Sequence, residues 1–164
     1  MSGLSGHEAP TDRGQTDRPP RPGRGPFDAR QVPFLDLLGV RSIELREGRC
    51  RIELPVLRPH LRSLGIVHGG ALATLLDSAM GLAAWALAPP GHDVVTVQLN
   101  VNFIRAAGEG ATLVATGELK HSGRRTAVAC GEVHTADGVL VAGGSATFVY
   151  LPETGTSADR CASS

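Results

Sequence analysis

The stretch Gly65-Ile-Val-His-Gly-Gly-Ala-Leu-Ala-Thr-Leu-Leu-Asp-Ser-Ala-Met-Gly-Leu-Ala-Ala-Trp-Ala-Leu-Ala-Pro-Pro90 decides the fold. From Ala71 to Ala88 nearly every residue is a strong helix former, while Pro89-Pro90 cannot continue a helix. The polar side chains between those ends are Thr74, Asp77 and Ser78. The segment therefore reads as a helix apolar nearly all round, buried in a core or in lipid. Lipid is the poorer host. About 18 residues is near the lower limit for a span, Asp77 at mid-helix would cost on the order of 3 kcal/mol, and no Lys/Arg cluster or aromatic belt flanks it. At 1.5 Å per residue the helix is about 27 Å long, comparable to the longer strands on its C-terminal side, so a sheet can wrap it.

Those strands follow at once. Between Val95 and Phe103 apolar and polar residues alternate without a break, so Val95, Val97, Leu99, Val101 and Phe103 are expected on one face and Thr96, Gln98, Asn100 and Asn102 on the other. A loop through Ala106 to Gly110 leads to a strand from about Thr112 to His121. Ser122-Gly123-Arg124 turns it into a second, Thr126 to Thr135, and Ala136-Asp137-Gly138 into a third, Val139 to Leu151. On the N-terminal side, Phe34 to Leu38 reads as a short helix stopped by Gly39. Val40 to Leu45 and Cys50 to Val56 form a hairpin across Glu47-Gly48. Short turns between long strands imply antiparallel pairing, so the class is α+β: one long helix against an antiparallel sheet of about six strands.

The 164 residues are expected to make one domain over residues 31–151. Residues 1–30, rich in Pro, Gly, Arg and Asp, are expected to form a disordered arm, and residues 152–164 a flexible tail. Lys+Arg and Asp+Glu balance at 16 each, so bulk charge indicates neither nucleic acid nor an anionic membrane as partner. Cys50, Cys130 and Cys161 are far apart and odd in number, which indicates neither a disulfide framework nor a zinc site. With no apolar leader at the N-terminus, the expected location is the cytoplasm.

A carboxylate inside an apolar helix is costly unless it is paired or has a task. A structural, hydrogen-bonded aspartate is the plain explanation of Asp77. The entrance upstream suggests another, because Gly69 and Gly70 leave backbone amides accessible at a helix N-terminus, where partial positive charge suits a developing oxyanion. A base or nucleophile together with an oxyanion hole is the apparatus of acyl transfer. His68 lacks the companions of a metal ligand, and no Gly-x-Ser-x-Gly elbow is present. The residues alone define a ligand site at a helix N-terminus with a candidate acid or base.

Gly65-x-x-His68-Gly69-Gly70, Asp77 seven residues beyond, the Val95 to Arg105 strand and the Gly123-Arg124 turn together resemble the hotdog-fold acyl-CoA thioesterases, most closely the phenylacetate-degradation (PaaI-like) branch. The resemblance spans about residues 33–151. It implies that Asp77 attacks the thioester carbonyl or activates a water, that the Gly69 amide donates to the thioester oxygen, and that His68 shapes that site beside Gly70. A hydroxyl matched by Thr96 is implied near the water, across a subunit interface. Arg62 stands where many relatives carry Asn or Gln, with a charge able to pair with Asp77. Lys120, His121, Gly123, Arg124 and Arg125 surround the turn where relatives bind coenzyme A phosphates, and Arg105 is placed as a further binding residue. The resemblance also implies a homodimer pairing into a homotetramer, with no metal or other cofactor. The rival reading is a non-catalytic hotdog protein that binds acyl-CoA as a sensor or scaffold, with Arg62 in its favour.

Overall fold

The structure, a computed structural model, describes residues 32–152; the expected arm and, beyond Pro152, the expected tail lie outside them. A short helix α1 (Pro33–Leu37) precedes β1 (Ser42–Arg46) and β2 (Arg49–Pro55). The long helix α2 (Gly69–Ala86) comes next, then β3 (His92–Phe103), β4 (Thr112–Ser122), β5 (Thr126–Thr135) and β6 (Leu140–Pro152). All six strands form one antiparallel sheet in the order β1-β2-β4-β5-β6-β3. The turns fall where the sequence places them. Glu47 and Gly48 both take positive φ in the first hairpin, Gly39 ends α1 at φ 73°, and Gly138 closes the last turn at φ 89°.

Helix α2 starts two residues earlier than expected, because His68 acts as N-cap and both glycines enter the first turn; it stops at Ala86, short of the prolines. Leu72, Leu75, Leu76, Ala79, Met80 and Ala83 are buried against the concave side of the sheet. Ala73, Thr74, Asp77, Ser78, Gly81 and Trp85, on another stripe, are only half-buried. The expectation of burial all round is thus corrected: one sheet curls over part of the helix circumference and leaves a stripe that includes Asp77. Among the described residues no helix is long and apolar enough to cross a membrane.

Close approach of helix to sheet depends on a ladder of paired glycines. Gly117 pairs with Gly131, and Gly131 with Gly144. A Cβ on Gly117 would lie 2.3 Å from the Ala79 carbonyl, and one on Gly131 3.0 Å from Met80 Cγ, so only glycine leaves the helix room to sit this deep.

The strand with the cleanest alternation departs from its expected facing. The register of β3 on β6 slips between Thr96 and Gln98, a bulge at Val97. Thr96 pairs with buried Phe148, Leu99 with buried Ala146 and Phe103 with buried Ala142, so Val94, Thr96, Leu99, Val101 and Phe103 share the helix-facing side. Val95 turns outward with Gln98, Asn100 and Asn102; it is 46% exposed, and Val97 in the bulge 58%. The extra residue reverses phase half-way along and thereby turns Thr96 toward α2.

Candidate active site

Two clusters contain most of the residues singled out in the sequence. The first sits on α2. Asp77 is half-buried on the stripe the sheet leaves uncovered, and the Thr96 hydroxyl donates to its Oδ1 at 2.8 Å. Among the described residues no partner takes Oδ2, so one carboxylate oxygen is held and the other is open. This bond lies within one chain. The pairing of Arg62 with Asp77 that charge alone allows is not made, since Arg62 lies at the other cluster.

The second cluster is the helix entrance. His68 Nδ1 accepts the Gly70 N–H at 2.8 Å, and the His68 carbonyl accepts Ala71 N–H at 3.0 Å, so the imidazole caps the helix. The Gly70 amide is consequently engaged, whereas the Gly69 N–H, at the first helical position, has no acceptor among the described residues. A cavity of about 470 Å³ opens beside it, lined by Arg62, Ile66, Val67, Leu72, Phe103, Ile104, Arg105 and the alanines at 106 and 107. The Phe103 ring lies over Gly69, where a Cβ would come within 3.2 Å of it. The loop before the helix is tied down by His68 N–H donating to His60 O at 2.8 Å, Arg62 N–H to Ile66 O at 2.8 Å and Val67 N–H to Ala107 O at 2.9 Å. His60, 6% exposed, accepts Leu57 N–H on Nδ1 at 3.0 Å. The facing of Phe103 toward the helix follows from the alternation it shares with Leu99 and Val101, but its place over Gly69 had no signature in the sequence, nor did His60, which lies in a loop without periodicity.

Gly69 and Asp77 are not brought together within the chain. Eight positions along an α-helix separate them by about 12 Å. Thr96, Asp77's partner, pairs across the sheet with Phe148 and thence with Ala127, close to the β4–β5 turn that carries Gly123, Arg124 and Arg125. Phe103 and the cavity lie at the other end of the same strands. In the β4–β5 hairpin Lys120 is paired with Glu118 at 3.1 Å, and Ser122 with Tyr150 across 2.7 Å. Lys120 and then Arg49 hold the Glu118 carboxyl below its usual range. Arg124 and Arg125 are exposed at the turn. Cys50 belongs to neither cluster; burial pushes its thiol up to about 12, which keeps it protonated and unreactive. Among the described residues no group of His, Cys, Asp and Glu could hold a metal ion.

Comparison with known proteins places this geometry in context. A family model described as the thioesterase superfamily matches residues 64–142. A solved structure from Pseudomonas aeruginosa, described as a conserved protein, is 34% identical with a TM-score of 0.68, covering 72% of this chain and 93% of that one. A hypothetical thioesterase protein of Streptococcus pneumoniae, solved with coenzyme A, is 30% identical with a TM-score of 0.63, over 68% of this chain and 85% of that one. The acyl-coenzyme A thioesterase PaaI of Escherichia coli is 32% identical over 56% of this chain and 63% of its own length. Its structure superposes with a TM-score of 0.70 over 76% of this chain and 88% of that one.

Proposed function

We propose, from the premise that this chain belongs to the thioesterase superfamily and has its hotdog fold, that it hydrolyses acyl-CoA thioesters to the free acid and coenzyme A. The observation that carries the reading is a half-buried carboxylate, Asp77, held by Thr96, on a helix whose first amide, that of Gly69, has no acceptor among the described residues. The coenzyme A part of the substrate is supported by the E. coli acyl-coenzyme A thioesterase and the coenzyme A complex of the S. pneumoniae protein.

In this mechanism the Gly69 N–H donates to the thioester oxygen and stabilises the charge that develops there, with the positive end of the helix dipole behind it. Asp77, oriented through Oδ1, uses Oδ2 to take a proton from water, or attacks the carbonyl itself. In the first case hydroxide adds to the carbonyl, the C–S bond breaks and the proton taken by Asp77 passes to the thiolate; in the second the C–S bond breaks to leave a mixed anhydride on Asp77, which water hydrolyses, so that either way acid and free thiol depart. Because about 12 Å separates Gly69 from Asp77 along one helix, both reach one carbonyl only if a second copy supplies one of them. A homodimer with two shared sites satisfies this, and the unpaired edge of β3, with Val95, Val97 and Phe103 exposed along it, offers the surface on which to form it. The Arg124-Arg125 turn then serves the coenzyme A phosphates.

The test is thiol release from a panel of aromatic, short and medium-chain acyl-CoA substrates. Asp77→Ala should abolish release while circular dichroism stays native; undiminished turnover removes Asp77 from the mechanism. Arg62, in place of the Asn or Gln that the resemblance leads one to expect, favours a second reading, a hotdog protein that binds acyl-CoA without turning it over. That reading wins if ligand raises the melting temperature, no panel member is hydrolysed, and Arg62→Asn gains activity.

A further inference from the structure

We propose that the cavity at the start of α2 selects thioesters whose acyl group carries a carboxylate, the mono-thioesters of dicarboxylic acids. The inference rests on the thioesterase reading, which places the thioester carbonyl at Gly69. Ile66, Leu72, Phe103 and Ile104 give the cavity an apolar wall that suits the methylenes of an acyl chain. Arg62 and Arg105, both exposed, complete the lining, and among the described residues no aspartate or glutamate contributes to it. Arg62 has no ion pair or side-chain hydrogen bond among the described residues; Arg105 donates once, to Leu140 O at 3.3 Å, which leaves the rest of its donors uncommitted.

A neutral chain in this space offers nothing to the two cations that line it. A terminal carboxylate gives them charge-assisted, paired contacts, for which the planar guanidinium is suited. The phosphates of coenzyme A are the other source of oxyanion. They are the less favoured occupant, because the whole pantetheine arm separates them from the sulfur, whereas Arg62, Arg105 and Gly69 line one cavity.

The experiment compares succinyl-, glutaryl- and adipoyl-CoA with butyryl-, pentanoyl- and hexanoyl-CoA, and repeats each pair on N-acetylcysteamine, a carrier without phosphate. Expected is a kcat/KM at least about tenfold higher for one or more dicarboxylic thioesters than for the neutral partner, on both carriers, with that ratio falling about tenfold in Arg62→Gln or Arg105→Gln. Equal or higher kcat/KM for the neutral partners overturns the proposal. So does an arginine effect that is uniform across acyl groups and vanishes on N-acetylcysteamine, which would assign the arginines to the phosphates. Calorimetric binding of the same pairs to the unaltered protein reads the selectivity without turnover. Selective binding with no thiol release from any substrate refutes hydrolysis and upholds the cavity; hydrolysis without discrimination in either assay does the reverse.

Discussion

The hydroxyl of Thr96 is a small group with a specific task, because it fixes which oxygen of Asp77 remains open. A hydrogen bond to a charged group is worth about 1.5–3 kcal/mol, so Thr96→Val, which keeps the shape and deletes the donor, should lower kcat about tenfold or more with KM little changed. Equal kcat in the variant would make the bond merely structural. A second residue-scale prediction concerns Cys50. Its folded-state pKa of about 12 lies above the 9.0 of a free thiol, so its contribution to stability is fully present below pH 9 and is lost as pH rises from there. Denaturant unfolding should show stability falling by up to about 1.4 kcal/mol per pH unit above pH 9, and Cys50→Ala should flatten that slope.

Elements meet at their closest along the glycine ladder, and there a single methyl group has no room. Gly117→Ala places its Cβ 2.3 Å from the Ala79 carbonyl, against helix backbone that cannot rotate away, so helix and sheet must separate. Overpacking of this kind costs about 1–3 kcal/mol or more, read as a lower urea midpoint, whereas Gly138→Ala in an exposed turn tests only the cost of its positive φ. The same element scale accounts for the one strand whose facing was misread. Residues 95–103 alternate perfectly in sequence, and alternation is blind to an inserted residue. Only pairing with β6 reveals that Val97 is extra and that Thr96 faces the helix. Helix α2 itself was legible because composition and the Pro89-Pro90 stop mark it, while its half-buried stripe depends on how far one sheet can curl.

For the whole molecule the separation of Gly69 from Asp77 makes a sharp prediction about assembly. Proline is well tolerated at the first helical position, and His68 already has the extended backbone (φ −66°, ψ 136°) that a following proline requires. Gly69→Pro therefore deletes the amide and spares the helix, with the Phe103 ring shifting to make room, and like Asp77→Asn it should be inactive alone. Refolded together in equal amounts, the two should recover about a quarter of wild-type turnover, because half of the dimers are mixed and each mixed dimer holds one intact site. No recovery would mean that both groups act within one chain. By itself the sequence determined the α+β class and the order and turns of the elements, and it singled out Gly69 and Asp77 as candidates, since hydrophobic period, glycine placement and a misplaced carboxylate are local signals. Tertiary structure alone decided which side of β3 meets the helix, that Thr96 holds Asp77, and that Arg62 lies beside Gly69 rather than with Asp77. Those facts follow from strand register and packing, which are properties of paired elements rather than of residues taken in order, whereas the two turns between Gly69 and Asp77 already follow from their spacing on one helix.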